Sequence, residues 1–464
     1  MLPLQNLSPD PKDEYFADGM TEELISAISN VSGLSVISRT SVMQYKKPGK
    51  KLADIGGDLR VGTILEGSVR KFGNRVRIAV QLVDVTEDKH LWAENYDREL
   101  EDIFAIQTDI AERVAKALEV KVLGEERHRL EGRASKNTEA LTLYMKGRSS
   151  YMQPAHLYEE SDVRSAIEYF QRAVQQDPNF ALAYVGLADC YYFTVAGLHS
   201  TTYGSHAEGL AKAKENLDKA LALNPDLGEA HASLGNWLTW ELKWEEAEVE
   251  FRKAIALSPS YTLAHSRYAL LLCFVGKLDE ALYEARRAEE LDPLFLQGTL
   301  AIGEVLYYQR KYDQAMEQWK QVLRIEPNYP AALYWLATAY TAKSMMEEAL
   351  RMFSKWKEQV GDIPRFPGLA KGLLACAYAN AGRIEEAKGI FKEGEAEGLS
   401  PETSPVSYAY WYICLANIDL TFEFLDKACE ARDVNVFDIK VEPIWDPLRS
   451  DPRYAILLQK LRLS

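Results

Sequence analysis

Residues 228–261 read GEAHASLGNWLTWELKWEEAEVEFRKAIALSPSY, and residues 262–293 continue as TLAHSRYALLLCFVGKLDEALYEARRAEELDP. Written one above the other, the two rows align Pro259 with Pro293 and Ala247 with Ala281. Each row contains two apolar helical patterns joined by a short turn. A fixed period of about 34 residues predicts a solenoid, in which each helix pair buries its apolar face against the next pair.

The residue types at the repeated positions follow from packing. Small residues recur where the two helices of a pair must approach closely. Proline at positions 225, 259, 293 and 327 closes each second helix, because proline cannot continue a helix and disfavours helical geometry at the residue before it. Four prolines keep this spacing without a slip. The pattern resembles the tetratricopeptide repeat, a helix–turn–helix unit of about 34 residues.

Length, composition and charge exclude several classes of protein. The chain has 464 residues, too many for one compact core, and its apolar content of 47% is that of a folded protein. It contains no apolar run of about 18 residues or more, so we expect no membrane span. The formal net charge is −15, and an acidic surface repels phosphate backbones, so we expect no nucleic-acid partner.

The five cysteines suggest a reducing compartment. They lie at positions 190, 273, 376, 414 and 429, an odd number without metal-ligand spacing. We interpret all five as reduced structural residues, which favours a cytoplasmic location.

The first part of the chain, residues 1–122, has a different pattern and predicts a separate domain that mixes strands and helices. Val76, Ile78, Val80 and Leu82 alternate with polar residues, which indicates a half-buried strand. It follows another strand across a tight turn at positions 73–74, and an amphipathic helix over 103–118 completes the domain. We expect these four side chains to face the helices.

Three blocks of this domain resemble the TolB-like region of prokaryotic regulatory proteins. They are EYFADGMTEEL (14–24), LEGSVR (65–70) and LWAENYDR (91–98), in this order. The resemblance implies a unit that stands between an effector domain (a nucleotide cyclase, winged-helix or kinase domain) and a tetratricopeptide array, and that has no established chemistry. Here the unit begins at Met1, so we expect no cyclase or transcription-factor activity from this chain itself.

The remaining sequence predicts an all-α, right-handed superhelical solenoid. We predict a linker at 123–136, about eight helix pairs over 137–434, and a C-terminal extension with a capping helix at 435–464. The first two repeats contain extra residues, around 152–160 and 197–209. The capping helix covers the exposed apolar end that a solenoid otherwise leaves.

The sequence contains no pattern typical of an enzyme. Phosphate-binding glycine loops, zinc-protease motifs and serine-hydrolase motifs do not occur, so we predict no catalytic residue, cofactor or metal. His231 and His265 share one repeat position, one period apart. We interpret them as packing residues in preference to the alternative, a metal site formed by two imidazoles on adjacent helices.

Aromatic residues recur at positions of the first helices that would line the concave surface of such a solenoid. We predict that they form a peptide-binding groove, because tyrosine, tryptophan and arginine dominate binding hot spots. The predicted groove residues are Asp189, Tyr192, Phe193, Asn236, Trp240, Arg267, Phe274, Glu304, Tyr307, Tyr308, Tyr334 and Trp335. The alternative is that some of these rings pack against neighbouring repeats or against the N-terminal domain.

Two functional hypotheses follow from the sequence. The favoured one is a cytoplasmic, non-enzymatic interaction scaffold that binds a protein or peptide segment in the groove. The alternative is a ligand-sensing regulatory module of a signalling protein, similar to those of cyclases or transcription regulators, whose effector domain is absent from this chain.

Overall fold

The computed structural model describes residues 1–46, 49–124, 126, 135, 137–151, 160–193, 206–360, 367–396, 398–402 and 404–464. Most of the predicted linker and most of the two predicted insertions lie outside these ranges. The chain forms two compact units, which we call unit 1 (residues 1–237, 246–265 and 287–295) and unit 2 (residues 238–245, 266–286 and 296–464).

Unit 1 begins with a four-stranded sheet in the order β1-β2-β3-β4. The strands are β1 (Gln5–Asn6), β2 (Thr63–Phe72), β3 (Arg75–Asp84) and β4 (Lys89–Glu99), and only the β1–β2 pair is parallel. The helices of this region are α1 (Glu14–Ser29), α2 (Arg39–Val42), α3 (Leu52–Leu59) and α4 (Ile103–Ala117).

The β2–β3 hairpin confirms the predicted register. Phe72 pairs with Arg75 across a two-residue turn, and Gly73 has a φ of 58°, as such turns require at their first position. The four alternating apolar side chains of β3, at positions 76, 78, 80 and 82, are at most 3% exposed and share one core with α1 and α4.

The repeats form eight consecutive helix pairs in the described part of the chain. In order, the helices are α5 (Thr138–Tyr151), α6 (Glu160–Gln176), α7 (Ala181–Phe193), α8 (His206–Leu223), α9 (Gly228–Trp240), α10 (Trp244–Leu257), α11 (Thr262–Phe274), α12 (Leu278–Leu291), α13 (Leu296–Tyr308), α14 (Tyr312–Ile325), α15 (Pro330–Ala342), α16 (Met346–Val360), α17 (Pro367–Asn380), α18 (Ile384–Ala396), α19 (Pro405–Cys414) and α20 (Ile418–Glu430). On several first helices a small residue admits a large one from the partner helix. At Gly303, for example, a Cβ atom would lie 2.2 Å from the Trp319 indole nitrogen.

A last helix, α21 (Pro452–Lys460), follows the same period. Arg453 pairs with Asp419 at 2.8 Å, and Lys460 pairs with Asp426 at 2.5 Å, so each ion pair joins residues 34 positions apart. The helix α21 therefore lies beside α20 as the second helix of an incomplete ninth repeat would.

Within unit 1, the N-terminal region runs along the turns between repeats. Ser26 Oγ donates to Glu229 at 3.0 Å, and Ser258 Oγ donates to Asn30 Oδ1 at 2.7 Å. One turn further on, Ser38 Oγ donates to Asp292 Oδ2. Residues 26–38 thus contact three successive turns of the array, and we call these contacts the polar ladder.

The helix α1 also packs directly on the first helix of the array. A Cβ atom at Gly19 would lie 2.5 Å from Met145 Cγ on α5, so glycine permits this close approach. Arg148 of α5 and Arg39 approach the two carboxylate oxygens of Glu22, at 2.6 and 3.7 Å. The block at 14–24 therefore holds the sheet region against the first repeat.

The prediction of five reduced cysteines is wrong for one pair. Cys376 and Cys414 form a disulfide with a Cα–Cα distance of 5.3 Å, because these residues of α17 and α19 meet across adjacent first helices. Cys190, Cys273 and Cys429 are free and buried. The cysteines therefore no longer support a reducing, cytoplasmic compartment. In the described ranges, no helix is both long and apolar enough to cross a membrane.

Candidate functional site in unit 2

Residues 434–448, which we call the C-terminal segment, contact the face of unit 2 where eight of the predicted groove residues lie. The segment contains two short 3-10 helices, Val434–Val436 and Pro443–Leu448. The eight residues are Trp240, Arg267, Phe274, Glu304, Tyr307, Tyr308, Tyr334 and Trp335, which we call the inner-face set. They belong to the first helices α9, α11, α13 and α15.

Phe437 of the segment lies in a pocket of three aromatic rings. Its ring centroid is 6.4 Å from that of Trp240, 5.7 Å from Trp244 and 5.9 Å from Phe274. All three contacts are edge-to-face, the geometry that the aromatic quadrupole favours. The Phe437 side chain is 2% exposed, so the pocket encloses it.

Two tyrosine hydroxyls of α13 bind the acidic residues of the segment. Tyr308 donates to Asp438 Oδ2 at 3.1 Å, and Tyr307 donates to Glu442 Oε1 at 2.8 Å. Glu442 Oε1 also accepts from the backbone N–H of Ile444 at 3.3 Å. Neutral donors thus hold both carboxyl groups in a buried site.

Arg310, directly after α13, fixes the end of the segment. Its guanidinium donates to the carbonyl of Val441 at 2.7 Å and to both carboxylate oxygens of Asp446 at 3.1 and 2.6 Å. Because the guanidinium and the carboxylate pair in a two-pronged geometry, this contact also sets the orientation of the chain.

Burial makes the charged forms of three carboxyl groups unfavourable. Burial, together with the nearby carboxyl group of Asp438, raises the pKa of Glu442 to about 8, and burial raises the pKa of Asp438 to about 7. Burial likewise raises the pKa of Glu304 to about 7, against the lowering effect of a hydrogen bond with Trp335. Protonated carboxyl groups are therefore stabilised at this face.

The remaining rings of the inner-face set, Tyr334 and Trp335, pack on other rings of the repeat helices. The Trp335 ring stacks on Trp319 at 5.7 Å and meets Tyr307 at 5.7 Å. Tyr334 meets the Trp356 ring at 6.4 Å. For Trp335 the alternative that the rings pack against neighbouring repeats describes the observed contacts, whereas Trp356 belongs to the same helix pair as Tyr334.

The other four predicted groove residues belong to unit 1. Asp189 is buried and accepts a hydrogen bond from Ser233 Oγ at 2.6 Å. Tyr192 and Asn236 are half-buried. The Phe193 side chain lies outside the described residues.

The two histidines at the shared repeat position contact the turn before their own helix. His231 Nε2 lies 2.8 Å from the carbonyl oxygen of Pro225, and His265 Nε2 lies 3.1 Å from that of Pro259. His231 also pairs with Glu250 of α10. Among the described residues, no group of three or more possible metal ligands comes together.

The C-terminal segment is the part of the site that the sequence does not reveal. In the sequence, Phe437, Asp438 and Glu442 fall in an extension before the capping helix, without a role at the inner face. One feature of the sequence could have indicated this role. The extension combines apolar residues with acids but has too little helical periodicity to form a first helix.

Two segments of the chain match family models of the tetratricopeptide repeat. The matches cover residues 303–344 and residues 156–193, described as "TPR repeat" and "Tetratricopeptide repeat". The chain therefore contains tetratricopeptide repeats, as the repeat period predicts, and repeats of this family generally mediate protein–protein interactions. The resemblance of residues 1–122 to TolB-like regions stays a prediction.

A curated relative is similar to part of this chain. A protein of Rhizobium meliloti (strain 1021), provisionally named adenylate cyclase 3, is 35% identical over 248 residues, which are 53% of this chain and 41% of the relative. The match thus spans about two fifths of that relative's length.

Two solved structures are also similar to this chain. Yeast Tom70 is 16% identical, with 78% of this chain and 82% of Tom70 covered and a TM-score of 0.41. YrrB, described as a TPR protein with an unusual peptide-binding site, is 23% identical, with 42% of this chain and 94% of YrrB covered and a TM-score of 0.30.

Proposed function

We propose that this tetratricopeptide repeat chain is a non-enzymatic interaction scaffold, and that the inner-face set of unit 2 binds a segment of a partner protein. The observation that carries this proposal is the contact with the C-terminal segment. The same face already holds a stretch of chain from outside the repeat helices through rings, tyrosine hydroxyls and one guanidinium.

The chemistry of this face suits a short protein segment. The rings around Phe437 offer a large contact area that loses little entropy on binding, because aromatic side chains have few rotatable bonds. The hydroxyls of Tyr307 and Tyr308 and the guanidinium of Arg310 give direction to the polar contacts. The unit 1 residues Asp189, Tyr192, Phe193 and Asn236 occupy equivalent repeat positions, and we include them in the proposal as a separate surface.

Selection from a displayed library of random peptides tests this function with the purified chain. Peptides selected on the wild type should bind Trp240→Ala and Tyr308→Ala at least tenfold more weakly. Truncating a central aromatic residue of an interface typically costs about 2 kcal/mol or more of binding free energy. Circular dichroism and thermal unfolding establish first that each variant keeps its fold.

Tyr283→Ala is the matched control, since Tyr283 lies on the second helix α12 and is 67% exposed. It should bind the selected peptides as the wild type does. Failure to select any peptide, or equal binding by all three variants, would contradict the proposal.

The similarity to the Rhizobium meliloti protein favours a second candidate, a regulatory region of a signalling protein. In that case the region acts on an effector domain rather than on a free partner. Deleting the matching region from the relative should then change its cyclase activity, and replacing that region with this chain should restore the original activity. Unchanged activity after the deletion would contradict this second function.

A further inference from the structure

Three features of the C-terminal segment match the inner face in chemistry and in spacing. Phe437 fills the pocket of Trp240, Trp244 and Phe274, the next residue binds Tyr308, and Glu442 binds Tyr307. An aromatic residue is thus followed by carboxyl groups one and five positions later. Each of these three side chains contacts a different group of the inner face.

We propose that residues 437–442 act as an internal competitor for the inner face, and that the partner segment carries the same pattern, an aromatic residue followed by carboxyl groups one and five positions later. This inference rests on the proposed function. It adds the chemical class of the partner and a means of regulation, because the partner must displace residues 437–442 to bind.

The internal contact is imperfect in a way that permits displacement. Among the described residues, the buried Asp438 Oδ1 atom has no hydrogen-bond partner, and leaving such an atom unpaired is costly. The carboxyl groups of Asp438 and Glu442 also lose hydration and lie close to each other. Both costs weaken the hold of residues 437–442 on the inner face and so favour their exchange for a partner segment that pairs its carboxyl groups more completely.

Structural anchors flank these six residues on both sides. The helix α20 precedes them. After them, the fully buried Trp445 ring lies 4.7 Å from the Tyr410 ring, and α21 is held to α20 by the ion pairs of Arg453 and Lys460. Release of residues 437–442 would open the pocket and break the hydrogen bond from Tyr454 Oη to the carbonyl of Ile439, whereas Trp445 and the ion pairs of α21 lie outside the released stretch.

Fluorescence anisotropy with a labelled peptide that copies residues 434–443 (VNVFDIKVEP) tests the inference in the full-length chain. Phe437→Ala weakens the internal competitor, so it should bind this peptide at least tenfold more tightly than the wild type. Glu442→Ala, which removes the acceptor of the Tyr307 hydroxyl, should give a smaller gain in the same direction. Ile456→Ala, at a 53% exposed position of α21, is the control and should bind as the wild type does.

Peptide variants test the pattern itself. Replacing the phenylalanine by alanine, or both acids by alanine, should each weaken binding to the Phe437→Ala chain at least tenfold. The inference is overturned if the peptide binds neither chain, if it binds both equally, or if its aromatic and acidic residues make no difference. It is also overturned if Phe437→Ala forms dimers by exchanging the segment and the monomer binds no peptide.

The experiments distinguish a failure of this inference from a failure of the proposed function. Library peptides that depend on Trp240 and Tyr308 but lack the aromatic–acidic pattern would leave the proposed function standing and refute this inference alone.

Discussion

Both units of this chain place a non-repeat stretch on the repeats, but they use different chemistry. In unit 1, residues 26–38 follow the turns, and the polar ladder consists of hydrogen bonds with Glu229, Ser258 and Asp292. In unit 2, the C-terminal segment inserts a phenylalanine among three rings of the inner face. The ladder uses the polar ends of the repeats, whereas the segment uses their apolar first helices.

This difference separates a structural contact from a candidate binding surface. Each hydrogen bond of the ladder contributes about 1 kcal/mol, and the contacts repeat with the period of the array. At the inner face one side chain carries much of the contact, as in an interface dominated by a hot spot. The contact of the C-terminal segment therefore depends on a single residue in a way that the polar ladder does not.

The largest effect is expected at Phe437. Phe437→Ala empties an enclosed aromatic pocket and should lower the free energy of unfolding of unit 2 by about 3–5 kcal/mol. Chemical denaturation followed by tryptophan fluorescence measures this loss, since Trp240 and Trp244 line the pocket. Ile456→Ala should change the free energy of unfolding by less than about 0.5 kcal/mol. Equal effects of the two substitutions would show that the pocket does not carry the contact.

The disulfide of unit 2 should have the next largest effect. Cys376 and Cys414 are 38 positions apart, and a closed loop of this length stabilises a fold by about 3–4 kcal/mol through the entropy of the unfolded chain. Cys414→Ser should lower the melting temperature under oxidising conditions, and a reductant should do the same to the wild type. A wild type that melts at the same temperature with and without reductant would contradict the disulfide.

Unit 2 should become less stable as the pH rises from about 5 to about 8. The raised pKa values of Glu442 and Asp438 mean that the folded state binds more protons than the unfolded state in this range, so the free energy of unfolding falls with pH. The loss is at most about 1.4 kcal/mol per pH unit for each carboxyl group, and Glu442→Gln should flatten the dependence. Denaturation at a series of pH values measures it, and an opposite slope in unit 2 would refute the protonated state of these groups.

Other charged and titratable groups face this carboxyl pair and enter the same pH dependence. They include Cys273, Glu304, Tyr307, Tyr308, Arg310, Tyr334, Tyr410 and Asp433. Burial raises the pKa of each tyrosine in this set well above its ordinary value, so the tyrosines stay protonated hydrogen-bond donors throughout the range.

The smallest effect is expected in the ladder of unit 1. Ser258→Ala removes one donor to Asn30 and should lower the free energy of unfolding of unit 1 by about 1 kcal/mol. Hydrogen exchange of α1 measures this change, and Leu223→Ala, at a 39% exposed position of α8, serves as the control. If Ser258→Ala lowered the free energy of unfolding as much as Phe437→Ala does, the proposed difference between the polar ladder and the C-terminal segment would be wrong.

The repeats and the hairpin were predictable because local patterns determine them. Proline and alanine spacing sets the helix pairs, and the alternation at 76–82 sets the strand register. Only the part of the site that the repeats contribute was predictable from the sequence. Residues of the inner face recur with the period, whereas Phe437 and Glu442 lie outside it. They reach the first helices through contacts between distant parts of the chain, and Tyr307 and Glu442 are 135 positions apart.

The disulfide was missed for the same reason. Tyr410 occupies the position in the next repeat that corresponds to Cys376, and Cys414 lies one helical turn beyond it. The repeat pattern alone therefore does not pair the two cysteines. Adjacent first helices bring them together only once the helices are packed.

Hydrogen–deuterium exchange of the wild-type chain, with and without the peptide VNVFDIKVEP at saturating concentration, tests the central claim most directly. The account predicts faster exchange of the amides of residues 437–442 when the peptide is bound, because these residues leave the inner face, and unchanged exchange in α21. Bound peptide with unchanged exchange at 437–442 would contradict the account, since the peptide would then occupy another surface.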